Sequence, residues 1–291
     1  MEKKTGLNEL LLIFGTILWG GAFIFQSIGG KYIDPYTFNL LRNIVAFLFL
    51  LALCIISNLI KKKKDIKIKD NNKKELWLSG IFAGVALAFA QIFQQIGINN
   101  EGAGKSGFLT ALYIIFVPLI GLIFKRKVSL FLWIGLALSL LGLYFININD
   151  GEFSMSFGTI MLILCALMYS IQIMIIDKYS KAHDAFSFSC IEFLFASIVL
   201  VPFSFIFKDY SLSLVKDALP SILYLGIASS GIAYTIQYYT QRNINVVIEK
   251  VDKNGTNKMC KDDYNLALDP FAYIGKHKKN SKSYDKYFKK N

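Results

Sequence analysis

The chain has few of the residues that soluble enzymes and redox or metal proteins rely on: only four cysteines and two histidines occur among 291 positions. Cys54, Cys165, Cys190 and Cys260 show no CxxC spacing, and most of them fall inside apolar runs. That excludes a zinc ribbon, a thioredoxin-like motif and a disulfide framework, and leaves small core residues. His183 and His277 stand in polar connections, so histidine-based catalysis lacks its residues. No nucleophile elbow, paired catalytic carboxylates or metal cluster is present, and Gly102 and Gly104 before Lys105 lack the GxxxxGK[ST] spacing of a phosphate loop. These absences argue against an enzyme and against any cofactor or metal. Charge is also scarce, at 18% of residues, whereas soluble domains average about 25%.

What is present is hydrophobic length. Hydrophobic residues make up 54% of the chain, with 25 Phe and 15 Tyr, and the mean hydropathy is +0.46. A helix needs about 20 apolar residues to cross a bilayer core of about 30 Å. Runs of that size are expected as spans at Asn8 to Gly29, Tyr36 to Leu59, Leu76 to Ile98, Gly104 to Phe124, Leu130 to Ile148, Ser156 to Ile176, Phe186 to Phe207 and Leu219 to Tyr239. The first run is long and has no small-residue cleavage pattern, so it is expected to stay as the first span. The result is an all-α, multi-pass membrane protein of about eight helices.

The net charge of +12 lies in loops and in the tail rather than on an amphipathic face, which points to the lipid bilayer as partner and away from nucleic acid. Lys61 to Lys64, Lys67, Lys69, Lys73 and Lys74 fill the loop after the second span, and Lys125, Arg126 and Lys127 follow the fourth. Because basic residues in short loops stay on the cytoplasmic side, both termini are expected to face the cytoplasm.

The chain repeats itself. A shift of 150 lays Lys31 on Lys181, Asp34 on Asp184, Phe38 on Phe188 and Ala46 on Ala196, with Trp19 opposite Tyr169 and Arg42 opposite Glu192. A shift of 146 lays Gly80 on Gly226, Gln91 on Gln237, Gln95 on Gln241 and Asn99 on Asn245. The unit is five helices, an odd number, so the second copy starts on the opposite side of the membrane. Inverted repeats of this kind mark secondary transporters, with the solute site near the midplane between the halves. The expected units are residues 1–148 as a first five-helix repeat, 149–245 as a second repeat with three helices only, and 246–291 as a polar, largely disordered cytoplasmic tail. That tail holds eleven Lys against six Asp or Glu and cannot span a bilayer; a frameshift and a genuine short variant would both produce it.

Ile17-Leu18-Trp19-Gly20-Gly21-Ala22-Phe23, the Asp34-Pro35 turn before Leu41-Arg42, and Ala103-Gly104-Lys105-Ser106-Gly107-Phe108-Leu109-Thr110-Ala111-Leu112-Tyr113 with Val117-Pro118 together resemble the EamA branch of the drug/metabolite transporter superfamily, over residues 7 to 245. The resemblance implies a bacterial cell-membrane carrier with an inverted-repeat five-plus-five helix fold, exporting amino acids, metabolites or drugs from a central cavity. This chain departs from that pattern at the ninth and tenth helices, so its second repeat is incomplete.

Polar groups within the spans are the candidate substrate-binding residues. Arg42 and Glu192 are costly toward lipid, and as repeat mates they are expected to pair with each other or with solute between them; the alternative is that each snorkels to the headgroups. Gln91 and Gln237 suit a cavity lining for neutral or zwitterionic solutes; helix-to-helix hydrogen bonding explains a single Gln equally well, and the recurrence in both halves tilts the reading toward the lining. Trp19, Tyr113 and Tyr234 form an aromatic wall or belong to ordinary packing. Lys105 attracts anions, pairs with an acid or is a solvated flank. The leading expectation is a secondary transporter exporting a small-molecule solute by alternating access. The alternative is a truncated, non-transporting membrane protein or a fragment of a carrier, its flank open to lipid beside Tyr234 and Gln237. A homo-oligomer is left open.

Overall fold

Asp34 begins the architecture. Its Oδ1 accepts the backbone N–H groups of Tyr36 and Thr37, both at 2.9 Å, and Pro35 supplies a first helical residue with no amide to satisfy. Its repeat mate Asp184 likewise accepts the Ser187 N–H, at 3.3 Å. The computed structural model describes residues 2–63, 73–123, 130–149, 152–153, 155–179, 183–207 and 211–243. The polar segment from Val246 and most of the Lys61–Lys74 loop lie outside the described residues.

The helices are α1 (Glu2–Gly29), α2 (Pro35–Lys63), α3 (Lys73–Glu101), α4 (Ala103–Thr110), α5 (Tyr113–Ile123), α6 (Leu130–Ile146), α7 (Phe157–Tyr179), α8 (Ala185–Ile206), α9 (Leu212–Leu223) and α10 (Tyr234–Asn243), with a π-helix over Tyr224–Ala233 between the last two. A two-residue hairpin, β1 (Ile148–Asn149) and β2 (Glu152–Phe153), joins α6 to α7. Seven segments are long and apolar enough to cross a membrane, and Trp133–Ile146 is a shorter apolar helix. Each of the eight expected spans has its counterpart among them. Large apolar side chains such as Ile17, Leu48, Phe145 and Phe205 stand exposed around the outside, as lipid contact requires.

Two spans are not single α-helices. The fourth breaks at Ala111–Leu112, where the N–H groups of Leu112, Ile114 and Ile115 bond carbonyls three residues back. The last widens into the π-helix. Gly226 and Gly231 both seat against α2, on Val45 and Phe49 respectively. Five residues apart, they would stand about 140° from each other around an α-helix of 3.6 residues per turn; i→i+5 bonding brings them toward one face.

The packing follows the inverted repeat. α2 packs against its own mate α8, α3 packs along α7 as α1 packs along α9, the π-helix and α10, and α3 crosses α8 as the π-helix crosses α2. At the two equivalent crossings a methyl group on Gly84 would stand 2.5 Å from Glu192 O and 2.9 Å from Phe195 Cβ, and one on Gly226 would stand 3.0 Å from Arg42 O and 2.7 Å from Val45 Cβ. Contacts therefore equate Gly84 with Gly226, four residues or about one turn from the sequence register that set Gly80 on Gly226. Ala46 and Ala196, mates in the repeat, are both fully buried there with Ala88 and Ala90, and such small residues let helix backbones approach where lipid provides no hydrophobic drive. The fourth and fifth spans of the first half have no counterpart among the described residues.

The α1–α2 turn, the α3–α4 turn and the start of α7 lie at one face, called here the Asp34 face; the ends of α2 and α7 and the start of α3 lie at the other, the Lys73 face. At the Asp34 face Lys105 Nζ stands 2.7 Å from Glu101 Oε2, so of its three readings the lysine takes the acid pair. Glu101 also accepts from Ser156 Oγ, fastening the start of α7 to the end of α3.

Candidate functional site

Helices of both halves line a cavity of about 180 Å³. α1 contributes Thr16, Trp19 and Gln26; α2 contributes Arg42; α3 contributes Gln94; the break between α4 and α5 contributes Thr110, Ala111 and Tyr113. α7 adds Tyr169 and Gln172, the π-helix Ser229, and α10 Tyr234, Gln237 and Gln241. Both irregular backbone segments thus face this space, which is where non-helical backbone is tolerated at membrane depth.

Arg42 is 2% exposed. Its Nη1 donates to Gln26 Oε1 at 3.2 Å and to Asn39 Oδ1 at 3.4 Å, and its Nη2 donates to Ser230 Oγ at 3.2 Å. The guanidinium is held entirely by neutral acceptors. Beside it, Tyr169 donates to Gln94 Oε1 at 3.1 Å, and the Tyr234 ring stands edge-on to Trp19 and to Phe193, with ring centroids 5.4 Å apart in each pair.

Of the seven residues expected to bind substrate, the structure brings Trp19, Arg42, Tyr113, Tyr234 and Gln237 to the cavity wall and leaves Gln91 and Glu192 behind it. Gln91 Oε1 accepts from Asn43 Nδ2 at 2.7 Å, and its carbonyl accepts from Asn39 Nδ2 at 3.1 Å. It ties α2 to α3, and Gln94, almost one turn further on, takes the place at the wall. Glu192 accepts from Gln172 Nε2 at 2.7 Å, and Gln172 is the residue that reaches the cavity. The expected direct pair between Arg42 and Glu192 does not form, because each is engaged by uncharged side chains of other helices. Snorkelling is excluded as well, since both lie fully inside the bundle. The expected open flank is also corrected. Tyr234 and Gln237 are 5% and 8% exposed, covered by α1 and α7 instead of facing lipid.

Sequence reasoning passed over Gln26 and Gln172. Each is a lone amide in an apolar span without a repeat mate of its kind, and the cost of burying an amide in a membrane was the available signal.

Toward the Asp34 face the cavity is sealed. Gln95, fully buried, donates through Nε2 to Gln26 O at 3.0 Å and to Asn99 Oδ1 at 2.8 Å. Gly30 packs directly on the Gln95 and Asn99 side chains, and a methyl group on it would also stand 2.9 Å from Gln26 O.

A multi-span helical bundle with broken segments around a cavity that carries buried polar groups has the make-up of a membrane transport protein. The comparison with known families is specific: the EamA-like transporter family matches residues 7–148 and 156–248, and the chain belongs to it. It is 28% identical over 250 residues to an uncharacterized transporter of Archaeoglobus fulgidus, covering 84% of this chain and 82% of that one. It is 25% identical over 241 residues to the uncharacterized transporter YoaV of Bacillus subtilis, covering 80% and 79%. One solved structure, described only as the crystal structure of a protein, superposes with a TM-score of 0.57 at 15% identity over 81% of this chain and 80% of its own, a likeness of fold alone.

Proposed function

We propose that this chain is a carrier that exports a small solute by alternating access, with the cavity between the inverted halves as the solute site and the Asp34 face turned outward. The observation that supports the reading most is the seal. A cavity lined by two amides from the first half and three from the second is shut toward one face by a few hydrogen bonds among Gln95, Gln26 and Asn99, contacts that a small movement of α1, packed on the π-helix and α10, against α3, packed on α7 and α8, breaks and remakes. The broken α4–α5 segment and the π-helix supply backbone that can adjust at the midplane.

Gly30 is the position where this reading is most exposed to test. A leucine there drives into Gln95 and Asn99, so the outward seal cannot form while the helices around it still pack. In sealed vesicles reconstituted with the full chain and loaded with a radiolabelled panel of amino acids, organic acids and amines, Gly30→Leu is expected to lower solute movement at least about tenfold, as gating variants do, with an unchanged elution profile in detergent. Wild-type movement in the variant refutes the seal, and a wild-type chain that moves nothing in the panel refutes the carrier.

One observation favours a second reading. The α4 to α6 part of the first half has no counterpart among the described residues, and helices supplied by another chain would complete the second half. An active species heavier than one copy in the same vesicles distinguishes it.

A further inference from the structure

Arg42 is the only charged side chain among the described residues lining the cavity. A buried arginine is tolerated at membrane depth when it is paired or reaches water, and here the three acceptors it does have are neutral. Among the described residues its Nε has no partner, and the indole Nε1 of Trp19, a residue of the same cavity wall, has none either. On the cavity wall the acceptors without partners, Gln172 Oε1 and Gln241 Oε1, are neutral, and the one buried acid near them, Glu192, is bonded to Gln172 and does not line the space. Two donors, one of them charged, therefore lack an acceptor among the described residues.

We infer that the cavity takes a monoanionic, carboxylate-headed solute with a flat apolar body, the carboxylate meeting Arg42 and Trp19. The inference rests on the carrier reading for the location of the site and adds the solute's chemistry. One positive charge matches one negative charge; a dianion would carry a second charge into the bundle with no counter-ion. A guanidinium is also the group best shaped for a carboxylate, its fork of N–H groups meeting both oxygens. The body is set by the rings of Phe23, Tyr113, Tyr169 and Tyr234 on the same wall. The space is sufficient: an apolar cavity of about 150 Å³ accepts benzene, and this one is about 180 Å³.

The chain has three tryptophans, and Trp77 and Trp133 stand 47% exposed on the outside. A Trp77→Phe, Trp133→Phe background leaves Trp19 as sole reporter. Purified full chain in detergent is titrated with 3-phenylpropionate, 3-phenylpropanamide and 3-phenylpropylamine, three probes of one shape that differ in head-group charge. The carboxylate is expected to shift Trp19 emission saturably at a concentration at least about tenfold lower than the amide, the scale of one charge-assisted hydrogen bond, with the amine weakest. Arg42→Gln levels carboxylate and amide, and Arg42→Lys keeps a reduced preference. Equal response to carboxylate and amide, a tighter amine, or a preference unchanged in Arg42→Gln overturns the inference. Should Arg42→Gln fail to fold, the probe series on the native arginine and on Arg42→Lys decides alone. Binding is read without turnover, so a carboxylate preference in a chain that moves no solute defeats the carrier and leaves this site standing, whereas transport without the preference does the reverse.

Discussion

Replacing Gly84 with alanine, the smallest change available, is expected to unfold the bundle or shift its melting by far more than any substitution on the lipid face. The new methyl stands 2.5 Å from Glu192 O, 2.9 Å from Phe195 Cβ and 3.0 Å from Ala196 N. Two of these are backbone atoms of α8 inside a continuous helix, so they cannot move aside as a flexible side chain would. Separating α3 from α8 also loosens α7 from α3, because α3 packs along both. A loss of about 3 kcal/mol or more follows from overpacking a rigid contact. Gly20→Ala is the matched control: nothing lies within 4 Å of a methyl there, and alanine's better helix propensity makes it neutral or slightly stabilising. Thermal unfolding of both variants in one detergent, read by circular dichroism, separates them. Equal melting points refute the close α3–α8 crossing.

The exchange Arg42→Glu with Glu192→Arg is expected to be at least as damaging as either single change. Were the two charges partners, the exchange would restore them. In the structure each has its own set: Arg42 is held by the acceptors of Gln26, Asn39 and Ser230, and Glu192 by the amide donor of Gln172. A carboxylate at position 42 meets oxygens, and a guanidinium at 192 meets an N–H. Each mismatch leaves a buried charge without its partner, worth about 3–5 kcal/mol, and the two penalties add when sites share no contact. A double-mutant cycle on unfolding free energy measures this, and recovery of wild-type stability in the exchanged protein contradicts it.

The sequence made the number, placement and inverted pairing of the spans legible because hydrophobic length is set by bilayer thickness and because Asp34 and Asp184 mark equivalent helix starts. Of the residues that line the cavity, it singled out Arg42 through the cost of charge in lipid, Trp19, Tyr113 and Tyr234 through their aromatic rings within spans, and Gln237 through its repeat match. It misplaced the third-helix amide. Choosing Gln91 rested on a register with Gln237, yet the crossings at Gly84 and Gly226 show a different register, and the π-helix then widens the span between Gly226 and Gln237. Nothing in Tyr224–Ala233 announces that widening except the five-residue spacing of Gly226 and Gly231. The choice of partner for Arg42 was likewise beyond sequence: repeat symmetry put Arg42 and Glu192 at equivalent positions, and equivalence across a pseudo-twofold does not make two side chains neighbours. Gln26 and Ser230, which hold the arginine, come from helices with no sequence relation to each other.

The central claim is that one cavity between the inverted halves serves both sides of the membrane in turn. Thr16, a small residue on the cavity wall of α1, reports on it directly. With the native cysteines replaced by alanine and Thr16→Cys as sole thiol, the reconstituted full chain is treated with a membrane-impermeant maleimide from one compartment or the other. The account predicts reaction from each side in vesicles that stay sealed to the reagent; reaction from one side alone, or from neither, contradicts it.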